Sequence, residues 1–155
     1  MKNSDFQRVD AQSNAHAGRQ FEQLVKAMFI KNGFELSESI SVMLGFGVKQ
    51  KSHKFDLGSI DQSILIECKS HRWTTGDNTP SAKLTVWNEA MLYFFLSPES
   101  SRKLFCVLKD YSEKRQMSLA DYYCKTHGHL IPSDVEIWEI DERLREASQI
   151  YGPVF

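Results

Sequence analysis

The sequence predicts an α/β domain in which a mixed central sheet is flanked by helices. Three observations predict it. The chain has 155 residues, 41% of them hydrophobic and 12% aromatic, enough to bury one core. Its apolar residues switch repeatedly between a helical period and a strand period. The elements read this way run α-β-β-β-α-β-α-β-α, and interleaved strands and helices pack as a sheet covered by helices.

Residues 1–17 are polar and read as a lead-in segment before a single domain over 18–155. A helix is expected over Gly18–Lys31, because Phe21, Leu24, Val25, Met28 and Phe29 fall on one face. Asn32-Gly33 stops it, with glycine suited to a left-handed cap. Strands follow at Ser39–Phe46, Lys54–Ile60 and Ile64–His71, the last two joined by the turn Asp61-Gln62-Ser63. Thr74–Pro80 is a loop by composition. Ser81 is placed to cap a second helix to Leu96, with Leu84, Trp87, Met91, Phe94 and Phe95 on its apolar side. Arg102–Leu108 reads as a buried strand. Ser118 and Asp121 form a capping box for a third helix, which Gly128 ends. Val135–Ile140 alternates as a strand, and Asp141 is expected to cap a last helix through Ile150.

Nineteen basic and 20 acidic residues give a net charge of −1. That balance excludes a basic nucleic-acid coat protein and an acidic tail protein. Cys68, Cys106 and Cys124 are odd in number and widely spaced, so no disulfide framework is expected and a cytoplasmic setting is. No apolar window is long enough to span a membrane. Cys124, His127 and His129 lack the paired spacing of a structural zinc site.

Chemistry concentrates in Ile64-Leu-Ile-Glu67-Cys-Lys69-Ser-His71. Alternation puts Glu67, Lys69 and His71 on one face of that strand with Leu65, and Ile64, Ile66 and Cys68 on the other. A hairpin centred near Asp61-Gln62 sets Asp56 opposite Glu67, and cross-strand neighbours lie about 5 Å apart. Two carboxylates that close repel unless a divalent cation lies between them. Hard Mg²⁺ or Mn²⁺ suits oxygen donors of this kind. Glu22, bordering the apolar face of the first helix, is the third acid. A metal held by Asp56, Glu67 and Glu22 activates water and neutralises phosphate, with Lys69 beside it to position the water or stabilise charge on phosphorus.

Glu22 on a helix, then Asp56, then Glu67-Cys68-Lys69 in an α-β-β-β-α-β order resembles the PD-(D/E)XK nuclease superfamily. The resemblance covers roughly Gly18–Lys109, and Phe55 stands where the motif name has proline. It implies a restriction-endonuclease-like αβββαβ core and Mg²⁺-dependent phosphodiester hydrolysis, with Mn²⁺ able to substitute. Carried over, Asp56 and Glu67 are metal ligands, Lys69 is the catalytic lysine, and Glu22 is an accessory catalytic acid and ligand.

His71, Arg72 and Trp73, leading into the loop, offer a cation and a stacking surface to nucleic acid. Lys54, Lys83 and Asn88 are further polar candidates for that contact. The expected activity is therefore a metal-dependent DNA endonuclease of restriction, repair or phage type, acting as a homodimer and not at a membrane. The residues do not separate DNA from RNA. A homodimer interface is expected on the aromatic second helix, or on the last helix through Ile140, Leu144 and Ile150. The competing readings are a junction resolvase, which the neutral charge disfavours, and a non-catalytic binding or assembly module on the same fold. Locally, residues 48–72 carry a net +2 and residues 134–155 a net −4.

Overall fold

Apolar side chains of the central strands point to two faces, and both must be covered. The computed structural model describes the backbone from Ser4 to Phe155 and side chains from Ser13 onward. Met1–Asn3, the start of the expected lead-in, lie outside the described residues. The elements are α1 (Ser4–Lys31), β1 (Ser37–Leu44), β2 (Lys51–Gly58), β3 (Ile64–Lys69), α2 (Ser81–Leu96), β4 (Arg102–Leu108), β5 (Tyr111–Ser112), β6 (Met117–Ser118), α3 (Leu119–His127), β7 (Val135–Asp141) and β8 (Glu146–Tyr151). The position between residues 17 and 18, where the lead-in was expected to end, lies inside α1.

Six strands form one sheet in the order β1-β2-β3-β4-β7-β8. β1, β2 and β3 pair antiparallel, β3-β4-β7 parallel, and β7-β8 antiparallel. The sheet is therefore mixed, as expected. α1 covers one face, where Phe21, Val25, Met28 and Phe29 meet Leu57, Ile66, Cys68, Leu104 and Cys106. α2 and α3 cover the other, where Leu84, Trp87, Phe94 and Tyr123 meet Phe55, Leu65, Phe105 and Val107. Leu65 and Ile66 fall in opposite clusters, which is the alternation expected for β3.

The last expected helix is a correction: residues 141–150 make a turn and the edge strand β8. Asp141 Oδ1 does accept backbone N–H groups, from Arg143 and Leu144 at 3.0 Å each, as a helix cap would. Here the same local bonds close an Asx-type turn. Arg145 then adopts φ 53°, which reverses the chain onto β7. One smaller expectation also changes: Pro80, not Ser81, holds the N-cap position of α2, and no side chain caps it. Gly128 ends α3 as expected, in a right-handed conformation that leads into a short 3₁₀ turn over Gly128–Leu130. The capping box of Ser118 and Asp121 has both of its reciprocal bonds. Among the described residues no helix is long and apolar enough to cross a membrane.

Candidate functional site

β2 changes its sidedness at one residue, and that residue is Asp56. Phe55 belongs to the α2-side core, Leu57 to the α1-side core. The β1–β2 ladder runs on both sides of this point but skips Ser39 and Asp56, and Ser39 takes φ 55° to absorb the irregularity. On its other side β2 pairs with β3 only at Leu57↔Ile66 and Gly58↔Leu65. One further step of that register sets Asp56 opposite Glu67, but the strands have already parted. Cys68 N–H, freed by the parting, donates to Asp56 Oδ2 at 2.8 Å.

Glu67 is 4% exposed. Its Oε1 accepts from His53 Nε2 at 2.7 Å, and Lys69 Nζ lies 3.5 Å from its Oε2. His53 is itself fixed, stacked on Tyr93 of α2 with ring centroids 3.8 Å apart and edge-on to Phe55. Sequence reasoning did not select His53. The one signal for it is period two in β2, which puts His53 on the face of Phe55.

Asp56 carries the electrostatic cost of this arrangement. Burial first, and then the nearby charge of Glu67, push its carboxyl up to about 7, against a smaller opposing effect of the Cys68 N–H. Glu22, half-buried on the edge of α1, is also raised, by burial and then by Glu67. Glu22, Asp56 and Lys54 line a cleft of about 210 Å³ together with Arg19 and Glu38. Three acids and Lys69 thus share one neighbourhood where β2 and β3 separate. Among the described residues, no three His, Cys, Asp or Glu side chains close on a common point as a ready metal cage. The donor chemistry still fits a hard dication, which uses one or two carboxylates and fills its remaining positions with water and substrate phosphate. Asp56 and Glu67 are such a pair.

The expected nucleic-acid contacts separate into two groups. Lys54 and Lys83 are exposed. Arg72 is half-exposed and donates to Glu142 Oε1 at 2.6 Å. His71 is partly buried, and Trp87 Nε1–H donates to its Nδ1 at 2.8 Å. Burial, then Lys83 and Lys69, lower His71 to about 4, so it is a neutral imidazole with its proton on Nε2. Asn88 turns inward, its Oδ1 accepting from Tyr123 OH at 2.9 Å. Trp73 is buried at 8% and presents no open face. Its Nε1–H donates to Asp110 O at 3.0 Å, and the Arg115 guanidinium lies 4.7 Å from its ring centre. The loop after it is tied down as well, through Ser112 Oγ to Asp77 Oδ2 and Arg115 Nε to Asp77 O.

Comparison of the chain with protein-family models, with curated proteins and with solved structures finds no match.

Proposed function

We propose that this chain is a metal-dependent nuclease hydrolysing DNA phosphodiester bonds, on a restriction-endonuclease-like core and in a cytoplasmic setting. The observation that carries the reading is the nearness of Asp56 and Glu67 where the strand pair parts, close enough for the charge of Glu67 to raise Asp56, with Lys69 Nζ 3.5 Å from Glu67. Lys69 and His53 serve Glu67, but among the described residues no cation is paired with the half-buried Asp56, and burial with the charge of Glu67 drives its carboxyl to about 7. Such groups cluster where chemistry needs them.

Asp56 and Glu67 would hold Mg²⁺ or Mn²⁺, with Glu22 behind them on α1. That ion, when bound, supplies a water of lowered pKa and a counter-charge to phosphate. The chain's own residues do the rest. His53 and Lys69 fix the two oxygens of Glu67, so its carboxylate cannot swing. The Cys68 N–H orients Asp56. Lys69 offers a cation on the site face of β3, where it can stabilise the charge that develops on the phosphorus oxygens. His71, neutral and with Nε2–H free to donate, suits a phosphate oxygen at the edge of the site. Two strands require two such sites, and the proposal includes a homodimer.

The test is cleavage of plasmid, branched and single-stranded DNA, and of RNA, with Mg²⁺, Mn²⁺ or EDTA. Wild type should cut in either metal and stop in EDTA. Asp56→Asn and Lys69→Ala should each lose about 10²-fold or more in rate, the scale of removing one preorganised charged partner. Intact substrate in every metal condition, or wild-type cutting by Lys69→Ala, would end this reading.

A further inference from the structure

The β1–β2 hairpin extends away from the site and is unlike the rest of the surface in charge. From Ser39 to Phe55 there is no acidic residue, although the chain has 20, and Lys49, Lys51 and Lys54 are all exposed. Among the described residues none of these three lysines makes an ion pair. At the tip the sequence turns apolar. Phe46 is 67% exposed, Val48 99% and Met43 60%. Val42 and Leu44 between them are buried, so the hairpin is anchored in the core by one face and shows the other to solvent.

The tip is built to hold this display. The side-chain amide of Gln50 donates to the carbonyls of Gly45 and Gly47 at 3.1 and 2.9 Å. A Cβ on Gly45 would lie 1.9 Å from Lys49 O, so the turn closes only with glycine there. Gly47 takes φ 57°. Four side-chain-to-backbone or backbone constraints of this kind are not needed to connect two strands. They present Phe46 and Val48 outward, beyond a row of lysines.

We propose that this hairpin is a second DNA contact, in which Lys49 and Lys51 meet phosphates and Phe46 and Val48 wedge against a base step. The choice of DNA over another polyanion rests on the nuclease reading. Charge complementarity argues for it: unpaired lysines release counterions on meeting a phosphate backbone, and apolar wedges partly unstack a base step. β2 links the two places, since it leads from the hairpin tip to Asp56. Val48 lies eight positions before Asp56; Lys51–Asp56 is extended strand and Val48–Gln50 belong to the turn, so the span is at most roughly 26 Å. At about 3.4 Å per base pair, the tip reaches a step up to about seven base pairs from the bond addressed by Asp56 and Glu67.

The experiment measures binding in EDTA, where cleavage is stopped, by anisotropy of a labelled duplex several turns long with 2-aminopurine seven base pairs from its centre. The full chain is used. Wild type should bind and brighten the 2-aminopurine. Phe46→Ser/Val48→Ser should abolish the brightening and weaken binding about tenfold, the scale of one lost stacking contact. Lys49→Gln/Lys51→Gln should flatten the slope of log affinity against log salt by about 1.8. All four positions are exposed, so the fold should survive, which circular dichroism checks. If both double variants bind as wild type does, the proposal is overturned. It is equally overturned if the tip variant changes solution mass or binding to anionic vesicles while DNA affinity stays the same. Hairpin-dependent binding without any cleavage in metal would sink the nuclease reading and leave this one standing. Cleavage with hairpin-independent binding would do the reverse.

Discussion

Asp56 occupies a place where an uncharged residue would serve the fold better. Its carboxyl is pushed up to about 7 in the folded chain from the ordinary aspartate value of 3.8. The folded state therefore binds more protons than the unfolded one between those values, and this group's contribution to stability falls as pH rises from 3.8 to about 7. Above pH 7 the full penalty is present, about 4 kcal/mol for a shift of this size. Asp56→Asn removes it and keeps an acceptor for Cys68 N–H. The variant should melt higher than wild type at pH 8 and match it at pH 4, while losing cleavage. Scanning calorimetry in EDTA checks this, and a variant that melts lower at both pH values would refute it. Stability given up for a site is a familiar trade. The hairpin arithmetic in the sequence predicts the register seen at Leu57↔Ile66 and Gly58↔Leu65, because turn residues at 61–63 define it, but not the parting of the strands before Asp56 and Glu67. His53 was not legible, since its value comes from Tyr93 of α2, 40 positions away. Trp73 was misjudged as a stacking surface for a related reason. Composition does not tell a wet aromatic from one covered by Tyr122 and Arg115.

Elements in this fold are joined by a few polar pairs as well as by apolar packing. Arg102 opens β4 and grips Glu136 of β7 with two bonds, Nε to Oε2 at 2.7 Å and Nη2 to Oε1 at 2.9 Å. Glu136 is fully buried, and the guanidinium also lies over the rings of Phe34 and Phe155. Removing the arginine alone leaves a buried carboxylate unpaired. Arg102→Met should cost about 3 kcal/mol in urea unfolding, and Arg102→Met/Glu136→Leu should recover most of it. Equal loss in single and double variants would show that the ring contacts, not the ion pair, hold this edge. Elements with strong internal signals were legible: the α1 apolar stripe, the β3 apolar run and the Ser118–Asp121 capping box all appear in the structure. The stretch 141–150 was not, because an aspartate that accepts two following N–H groups begins a helix or a turn alike. Only pairing with β7, a tertiary event, decides between them.

At the scale of the molecule, the near-zero net charge averages unlike parts. The sheet order puts the basic β1–β2 hairpin at one edge and the acidic β7–β8 segment at the other. A polyanion is therefore steered to the end of the sheet that carries Asp56, and contact with the far edge is disfavoured. The same layout narrows where a second copy can sit. Ile140, one of the residues expected in a C-terminal interface, is fully buried, and the helix that was to carry it is a strand. The outer side of α2 is left: Leu92 is 46% exposed, Phe95 64% and Leu130 44%, and together they border an open groove of about 410 Å³. A two-fold interface there is self-complementary, so one charged substitution enters it twice. Phe95→Glu should reduce the mass in light scattering from twice 17.9 kDa to a single chain without lowering the melting temperature, because the side chain touches solvent in the monomer. In a plasmid assay with Mg²⁺ the monomer should still nick but no longer linearise in one encounter, since each copy holds one Asp56–Glu67–Lys69 set. A wild-type chain that is monomeric at every concentration and still linearises plasmid directly would overturn the dimer.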